Sequence, residues 1–265
     1  PGPSVSGFTI YLQGSSGSLQ QTMVHSPYPS RPAGRKKGSV PAMDFRHEWK
    51  HEIDLSDLTA LRRRLRAAAR PDPHAPGGRY QIRSLYFDTP SDRALREKLD
   101  GVNRREKFRI RTYNGDSSLI HLEKKSKLGG LCAKESAALT AEEVRLLIGG
   151  HWDWMPQDSR PLLQELYTKM RTQRLRPKTI VDYTREAYVY GPGNVRVTMD
   201  YGIRTGLGST DFLDHGSVTI PVPGSPIILE VKWDAFLPDT IRAAVALEGR
   251  RTAPYSKYAA CRAYG

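Results

Sequence analysis

Charged residues recur at every second position in four separate stretches of this chain. Arg46-His47-Glu48-Trp49-Lys50 is the first and Arg105-Glu106-Lys107-Phe108-Arg109-Ile110-Arg111 the second. Glu123-Lys124-Lys125-Ser126-Lys127, with a less clean apolar face, is the third, and Ile228-Leu229-Glu230-Val231-Lys232 is the fourth. Side chains alternate faces along an extended strand, so each stretch puts its main charges on one side. Four such stretches predict a sheet with one face dense in Arg and Lys and sprinkled with Glu. Like charges repel, so that face requires a compensating anion, and a chain of phosphates fits it.

The bulk composition agrees. The 265 residues suffice for one large domain or two small ones. Lys and Arg number 41 against 28 Asp and Glu, a formal charge of +13. That excess favours nucleic acid, anionic lipid or phosphorylated small molecules as partners. Cys132 and Cys261 alone make neither a disulfide framework nor a metal cluster, in keeping with a reducing, cytoplasmic compartment. No apolar run reaches the roughly 18 residues of a membrane-spanning helix. The first residues lack the apolar core of a secretory signal.

Residues 1–43 are rich in Ser, Gly and Pro, carry Arg35-Lys36-Lys37 and show no periodicity, so they read as a disordered leader. Residues 44–265 read as one continuous globular domain. Strands are expected at about 45–53, 79–88, 102–113, 118–127, 131–139, 178–190, 194–205 and 226–234. Asn114-Gly115 and Gly129-Gly130 are turn signals between neighbours. A helix follows the first strand, capped by Ser56 or Asp57, with Leu58, Leu61 and Leu65 on one face. A short helical segment carries Ala94, Leu95 and Leu99. Thr140-Ala141-Glu142-Glu143 is a capping box opening another helix, and further helices are expected at about 160–173, 238–248 and 255–263. The fold class that follows is α+β. Eight sequential antiparallel strands close a barrel with helices packed outside, and the charged faces line an open, water-filled tunnel.

No Walker A loop, Rossmann glycine fingerprint, His-Glu-x-x-His or Cys-x-x-Cys occurs, so any chemistry falls to the charged strands. Arg105, Lys107, Arg109 and Arg111 share a face at roughly 6.5–7 Å intervals, letting each cation reach a different phosphoryl group. The plain alternative for one such strand is a solvated outer face. Glu48-x-Lys50, Glu123-x-Lys125 and Glu230-x-Lys232 are Glu-x-Lys pairs on three strands. Each reads either as a salt bridge or as a carboxylate ligand for a divalent cation bridging phosphate oxygens. Glu230, on the most apolar of these strands, is the favoured ligand, with Glu48 and Glu123 assisting. Asp200 shares a face with Arg196 and is a weaker candidate. Lys257 follows Ser256 at the start of a helix, where backbone N–H groups also favour anions. Interleaved exposed aromatics are lacking on the basic strands, which argues against single-stranded nucleic acid as the partner.

Seven short motifs in this order resemble the VTC (vacuolar transporter chaperone) domain. They are Phe45–Ile53, Ser84–Thr89, Arg105–Arg111, Leu122–Lys125, Val195–Asp200, Leu229–Lys232 and Ser256–Tyr258, and the resemblance covers about 44–263. That family belongs to the triphosphate tunnel metalloenzymes (the CYTH-like superfamily), which are antiparallel β-barrels. The resemblance implies a polyphosphate polymerase, which transfers the γ-phosphate of a nucleoside triphosphate such as ATP to a growing inorganic polyphosphate chain, with Mn2+ or Mg2+. It places Lys50, Arg109, Arg111, Lys125 and Lys257 at the reacting centre. Lys134, Arg185 and Arg196 then join Arg46, Arg105, Lys107, Lys127, Lys232 and Ser256 as substrate contacts, with Arg171 and Arg174 as alternatives to Arg185. Glu230, Glu48 and Glu123 are the metal candidates. Hydrolase relatives open with Glu-x-Glu-x-Lys, whereas Arg46 stands at the first of those positions here, which leans toward the VTC branch. Eukaryotic members carry additional membrane domains that this chain lacks, so it is expected to act alone or with a separate membrane protein. Hydrolysis of triphosphate, or binding of polyphosphate or inositol polyphosphates without turnover, are the competing readings.

Overall fold

The structure is a computed structural model. It describes residues 46–129, 131–250, 252 and 254–263. The leader expected over 1–43 lies outside the described residues, as does Gly130 of the second turn signal.

The alternating stretches form strands β1 (His47–Ile53), β4 (Arg105–Tyr113), β5 (Ile120–Leu128) and β10 (Ile227–Trp233). The other strands are β2 (Arg70–Pro71), β3 (Arg79–Asp88), β6 (Leu131–Leu139), β7 (Arg176–Tyr190), β8 (Val195–Thr205) and β9 (Ile220–Pro221). All ladders are antiparallel, in the order β1-β10-β8-β7-β3-β4-β5-β6, with the two-residue β2 and β9 off this path. Thus the eight expected strands carry the sheet. No ladder joins β1 to β6 among the described residues, so the sheet curls into a half-barrel.

Six helices follow: α1 (Leu55–Ala68), α2 (Arg93–Leu99), α3 (Ala141–Ile148), α4 (Pro161–Thr172), α5 (Asp239–Ala244) and α6 (Lys257–Arg262). The α1 cap is Asp54, ahead of the expected Ser56 or Asp57. Asp54 and Asp57 each accept the other's backbone N–H, so Asp serves where a capping box usually has Glu. Thr140 and Glu143 cap α3 as expected.

Two apolar clusters lie on the convex side. Leu58, Leu61 and Leu65 of α1 and Ile241 of α5 bury Val197, Met199, Leu229 and Val231. Val144 and Leu147 of α3 and Leu163, Leu166 and Met170 of α4 bury Leu85, Phe108, Ile110 and Leu122. Each such fully buried aliphatic side chain contributes about 1.5–3 kcal/mol. Because these residues alternate with the charged ones, burying them aims the charges at the concave side.

A third apolar cluster sits on the concave side itself. Tyr80, Ile82, Tyr86, Val181, Tyr183 and Ile203 of the middle strands pack with Ile228 and with Tyr258 and Cys261 of α6. The lumen is therefore not charged all round, as expected of a water-filled tunnel. Its floor on β3 and β7 is mainly aromatic and apolar and is covered by α6. Most of the charge lies on the flanking walls, with Arg185 of β7 joining them through Asp200.

Candidate phosphate-binding site

One wall is made by β4, β5 and β6. Register sets Arg109 between Tyr86 and Glu123, and Lys125 between Lys107 and Lys134. Glu123 is 2% exposed and is gripped by Arg109 Nη2 at 2.7 Å, Arg111 Nη1 at 3.7 Å and Lys134 Nζ at 2.6 Å. Burial opposes its ionisation, but these three cations outweigh burial and hold its carboxyl far below the usual range. Arg111 also donates to the Ser84 and Tyr183 hydroxyls, at 3.2 and 3.1 Å. Glu123, read as a metal ligand, is therefore the internal counter-ion of this wall.

The opposite wall is made by β1, β10 and β8. Lys50 faces Glu230 across the β1–β10 ladder, and Glu48 faces Lys232. Lys50 Nζ bonds Glu48 and lies 3.1 Å from Glu230 Oε2, while Lys232 Nζ bonds Glu230 and lies 3.6 Å from Glu48 Oε2. The two carboxylates thus converge around the same two ammonium groups. Burial opposes ionisation of Glu230, yet Lys232, Lys50 and Arg185 hold its carboxyl well below the usual range. Lys125 Nζ reaches across from β5 to 3.9 Å from Glu48 Oε2. On β8, Asp200 is fully buried and bonds Arg185 at 2.6 Å and Lys257 Nζ at 2.6 Å. Lys257, at the α6 start, also lies over the Tyr183 ring at 4.7 Å.

These placements test the expected metal ligands. Glu48 and Glu230 offer two hard carboxylates at one point, which fits Mg2+ or Mn2+ completed by phosphate oxygens and water. The three glutamates do not converge, and no cluster of three His, Cys, Asp or Glu suited to a metal exists among the described residues. A metal here would need substrate oxygens to fill its shell.

Other expected contacts sit differently. Arg46 bonds Asp234 at 2.7 Å and the Asn194 carbonyl, which spends its charge at the rim of the sheet. Arg196 donates to Asp72 at 2.7 Å and to the Tyr80 hydroxyl at 2.8 Å, so it arrives at the concave face already partnered. Ser256 caps α6, its hydroxyl accepting from Ala259 N at 3.3 Å. Arg105 donates to the Val102 carbonyl at 2.6 Å. Sequence reasoning missed Asp72, Tyr80, Tyr86 and Tyr183. The signal for the tyrosines was the same period of two, along β3 and β7, but carried by aromatics instead of charges, whereas Asp72, just after β2, had no periodic signal.

Between the walls lies a cavity of about 410 Å3. Six cations, Lys50, Lys98, Arg105, Lys107, Lys125 and Lys127, line it against two acids, Glu48 and Glu106, with Tyr255 and Tyr258 completing the lining. Lys107 and Lys127 make no ion pair among the described residues, and Lys125 has only the long contact to Glu48. Burial, with Arg109, Lys125 and Lys50 adding repulsion, brings Lys107 down to about 8, against the pull of Tyr86. The cavity therefore holds uncompensated positive charge at the place where a ligand would enter.

The fold is thus a curled antiparallel half-barrel with helices on its back and a cation-lined inner face. The VTC domain model matches residues 45–264, and the chain belongs to that family. No curated protein matches it in sequence. Similar solved structures include a Bacillus halodurans protein described as a candidate adenylate cyclase, at 13% identity and TM-score 0.44, covering 71% of this chain and 80% of that one. Another is the PH1819 protein of Pyrococcus horikoshii, at 12% identity and TM-score 0.42, covering 80% and 94%. No helix among the described residues is long and apolar enough to cross a membrane.

Proposed function

We propose that the protein is a polyphosphate polymerase that transfers the γ-phosphate of a nucleoside triphosphate to an inorganic polyphosphate chain. The observation that carries this reading is the uncompensated set Lys107, Lys125 and Lys127 along one cavity wall. Successive same-face positions lie about 7 Å apart, which suits a phosphate chain better than a single phosphate. Arg109, Arg111 and Lys134 extend this track inward, fixed by Glu123 and so preorganised for charge developing on transferred oxygens. Lys50 and Lys257, anchored on Glu230 and Asp200, would hold donor and acceptor ends in line. Glu48 and Glu230 would hold Mn2+ or Mg2+, which neutralises phosphate charge when bound. No protein nucleophile is required, because the chain end itself attacks.

The test is incubation of the purified protein with ATP and Mn2+. Products are resolved on a gel stained for polyphosphate, and orthophosphate is assayed in parallel. A ladder of long chains is expected. Orthophosphate without chains would make the protein a hydrolase of the same site. Binding of tripolyphosphate with neither product would make it a receptor.

A further inference from the structure

We propose that Tyr86 is a proton-exchanging counter-ion of the β4 cations. Its phenolate balances Lys107 and Arg109 in the free site, and it takes up a proton from solvent when a phosphate chain brings its own negative charge there. This rests on the concave face being a phosphate-chain site and adds how that site manages its charge while empty.

The surroundings of Tyr86 favour a phenolate. Tyr86 is 3% exposed. Its oxygen accepts from Arg109 Nη1 at 2.9 Å, and no acceptor takes its own O–H among the described residues. Lys107 Nζ lies 5.5 Å and Arg109 Cζ 5.8 Å from the ring centroid, within cation–π range. Glu123, the carboxylate nearest in register, is already shared by Arg109, Arg111 and Lys134 and leaves Lys107 without a partner. From α6, Tyr258 stacks on Tyr86 at 5.0 Å, but its hydroxyl donates to Asp88 at 2.6 Å and so does not serve Tyr86. The charged groups facing Tyr86 are thus Lys107, Arg109 and Arg111 of β4, with Asp88 beyond Tyr258 engaged elsewhere. Burial favours the neutral phenol, but Arg109, Lys107 and Arg111 outweigh it and bring the group down to about 7.

The sign of the linkage follows. A bound polyanion raises the proton affinity of Tyr86 and of Lys107 alike, so binding takes up protons and affinity falls as pH rises through the free-site values. Tripolyphosphate itself loses its last proton in the same range, so the protein's share of the linkage is read as the difference between the wild type and Tyr86→Phe. One proton linked at about 7 weakens binding on the order of five- to tenfold between pH 7.5 and 8.5.

The test uses the whole protein and inorganic tripolyphosphate without metal. Ultraviolet absorbance at 295 nm is followed against pH in the free protein, and then on ligand addition at pH 8. One tyrosinate appearing with a midpoint near neutrality, bleached by tripolyphosphate and absent in Tyr86→Phe, is expected. Calorimetry in two buffers of different ionisation enthalpy should show net proton uptake, reduced in Tyr86→Phe. No tyrosinate below pH 9 in the wild-type protein, or a signal that survives in Tyr86→Phe, overturns the proposal. Because the first of these needs no variant, misfolding of Tyr86→Phe does not remove the test. Binding without bleaching sinks the role of Tyr86 alone. Absence of tripolyphosphate binding, with the near-neutral tyrosinate present in the free protein, sinks the reading of the site instead.

Discussion

The two walls of the half-barrel are built from the same alternating pattern and end in opposite electrostatic states. On β4, β5 and β6, Arg105, Lys107, Arg109, Arg111, Lys125, Lys127 and Lys134 face a single acid, Glu123. On β1, β10 and β8, Lys50, Lys232 and Arg196 alternate with Glu48, Glu230 and Asp200. The first wall has a surplus that only an external anion can satisfy. The second is nearly balanced, its Glu48 and Glu230 carboxylates already paired with Lys50 and Lys232. On the proposed function, a phosphate chain would be gripped by the first wall and neutralised from the second.

The strongest way to break this comparison is to disarm the basic wall. Arg109→Ala and Lys125→Ala should each lower chain synthesis from ATP by at least about 100-fold, the scale of losing one preorganised donor. Lys125 is 40% exposed at its side chain, so Lys125→Ala should melt close to the wild-type temperature. Activity retained in both variants would remove the tunnel mechanism.

A second experiment sharpens the contrast between the two kinds of glutamate. Glu230→Gln should abolish the Mn2+ dependence of the rate, whereas Glu123→Gln should retain it. Glu123→Gln should instead lose stability, by about 3 kcal/mol in urea unfolding, because Arg109, Arg111 and Lys134 are left facing one another. Equal effects of the two variants on metal titration would erase the distinction between the walls.

The balanced wall also predicts acid sensitivity. Burial opposes ionisation of Asp200, but Arg185 and Lys257 bring its carboxyl down to about 2. A folded-state value below the unfolded value of about 3.9 contributes stability that is full above pH 4 and lost as pH falls toward 2. The contribution is about 2 kcal/mol. Melting temperatures measured from pH 5 down to 2 should fall more steeply for the wild type than for Asp200→Asn. Parallel curves would show that Asp200 does not carry the effect.

The smallest effects lie at the rim. Lys127→Ala should weaken tripolyphosphate binding a few-fold and flatten its salt dependence, because a half-buried cation near the strand end acts through a partly screened field. Arg46→Ala should change binding less, since Asp234 already neutralises Arg46. A larger effect at Arg46 than at Lys127 would mean the ligand follows the balanced wall after all.

Much of this was legible in the residues. Period-two alternation located β1, β4, β5 and β10 and assigned their charged sides, because the pleat leaves a strand only two faces. The capping box at Thr140 and the leucines of α1 were equally direct, since helical spacing and local hydrogen bonds need no distant partner. The site was legible as a set of cations but not as an arrangement. Glu48, Glu123 and Glu230 each sit two residues before a lysine, so their sequence contexts are nearly the same. Strand order alone made Glu123 a counter-ion and paired Glu48 with Glu230.

By itself, then, the sequence determined which elements form and which of their faces are charged, because those properties depend on neighbours within a few residues. The tertiary structure decided how many of those charges are already spent. Strand pairing brings Asp72 to Arg196 and Asp234 to Arg46, and lays Tyr258 on Tyr86 from the far end of the chain. A charge acts according to what stands within a few ångströms of it, and in this fold those neighbours are often more than a hundred residues away.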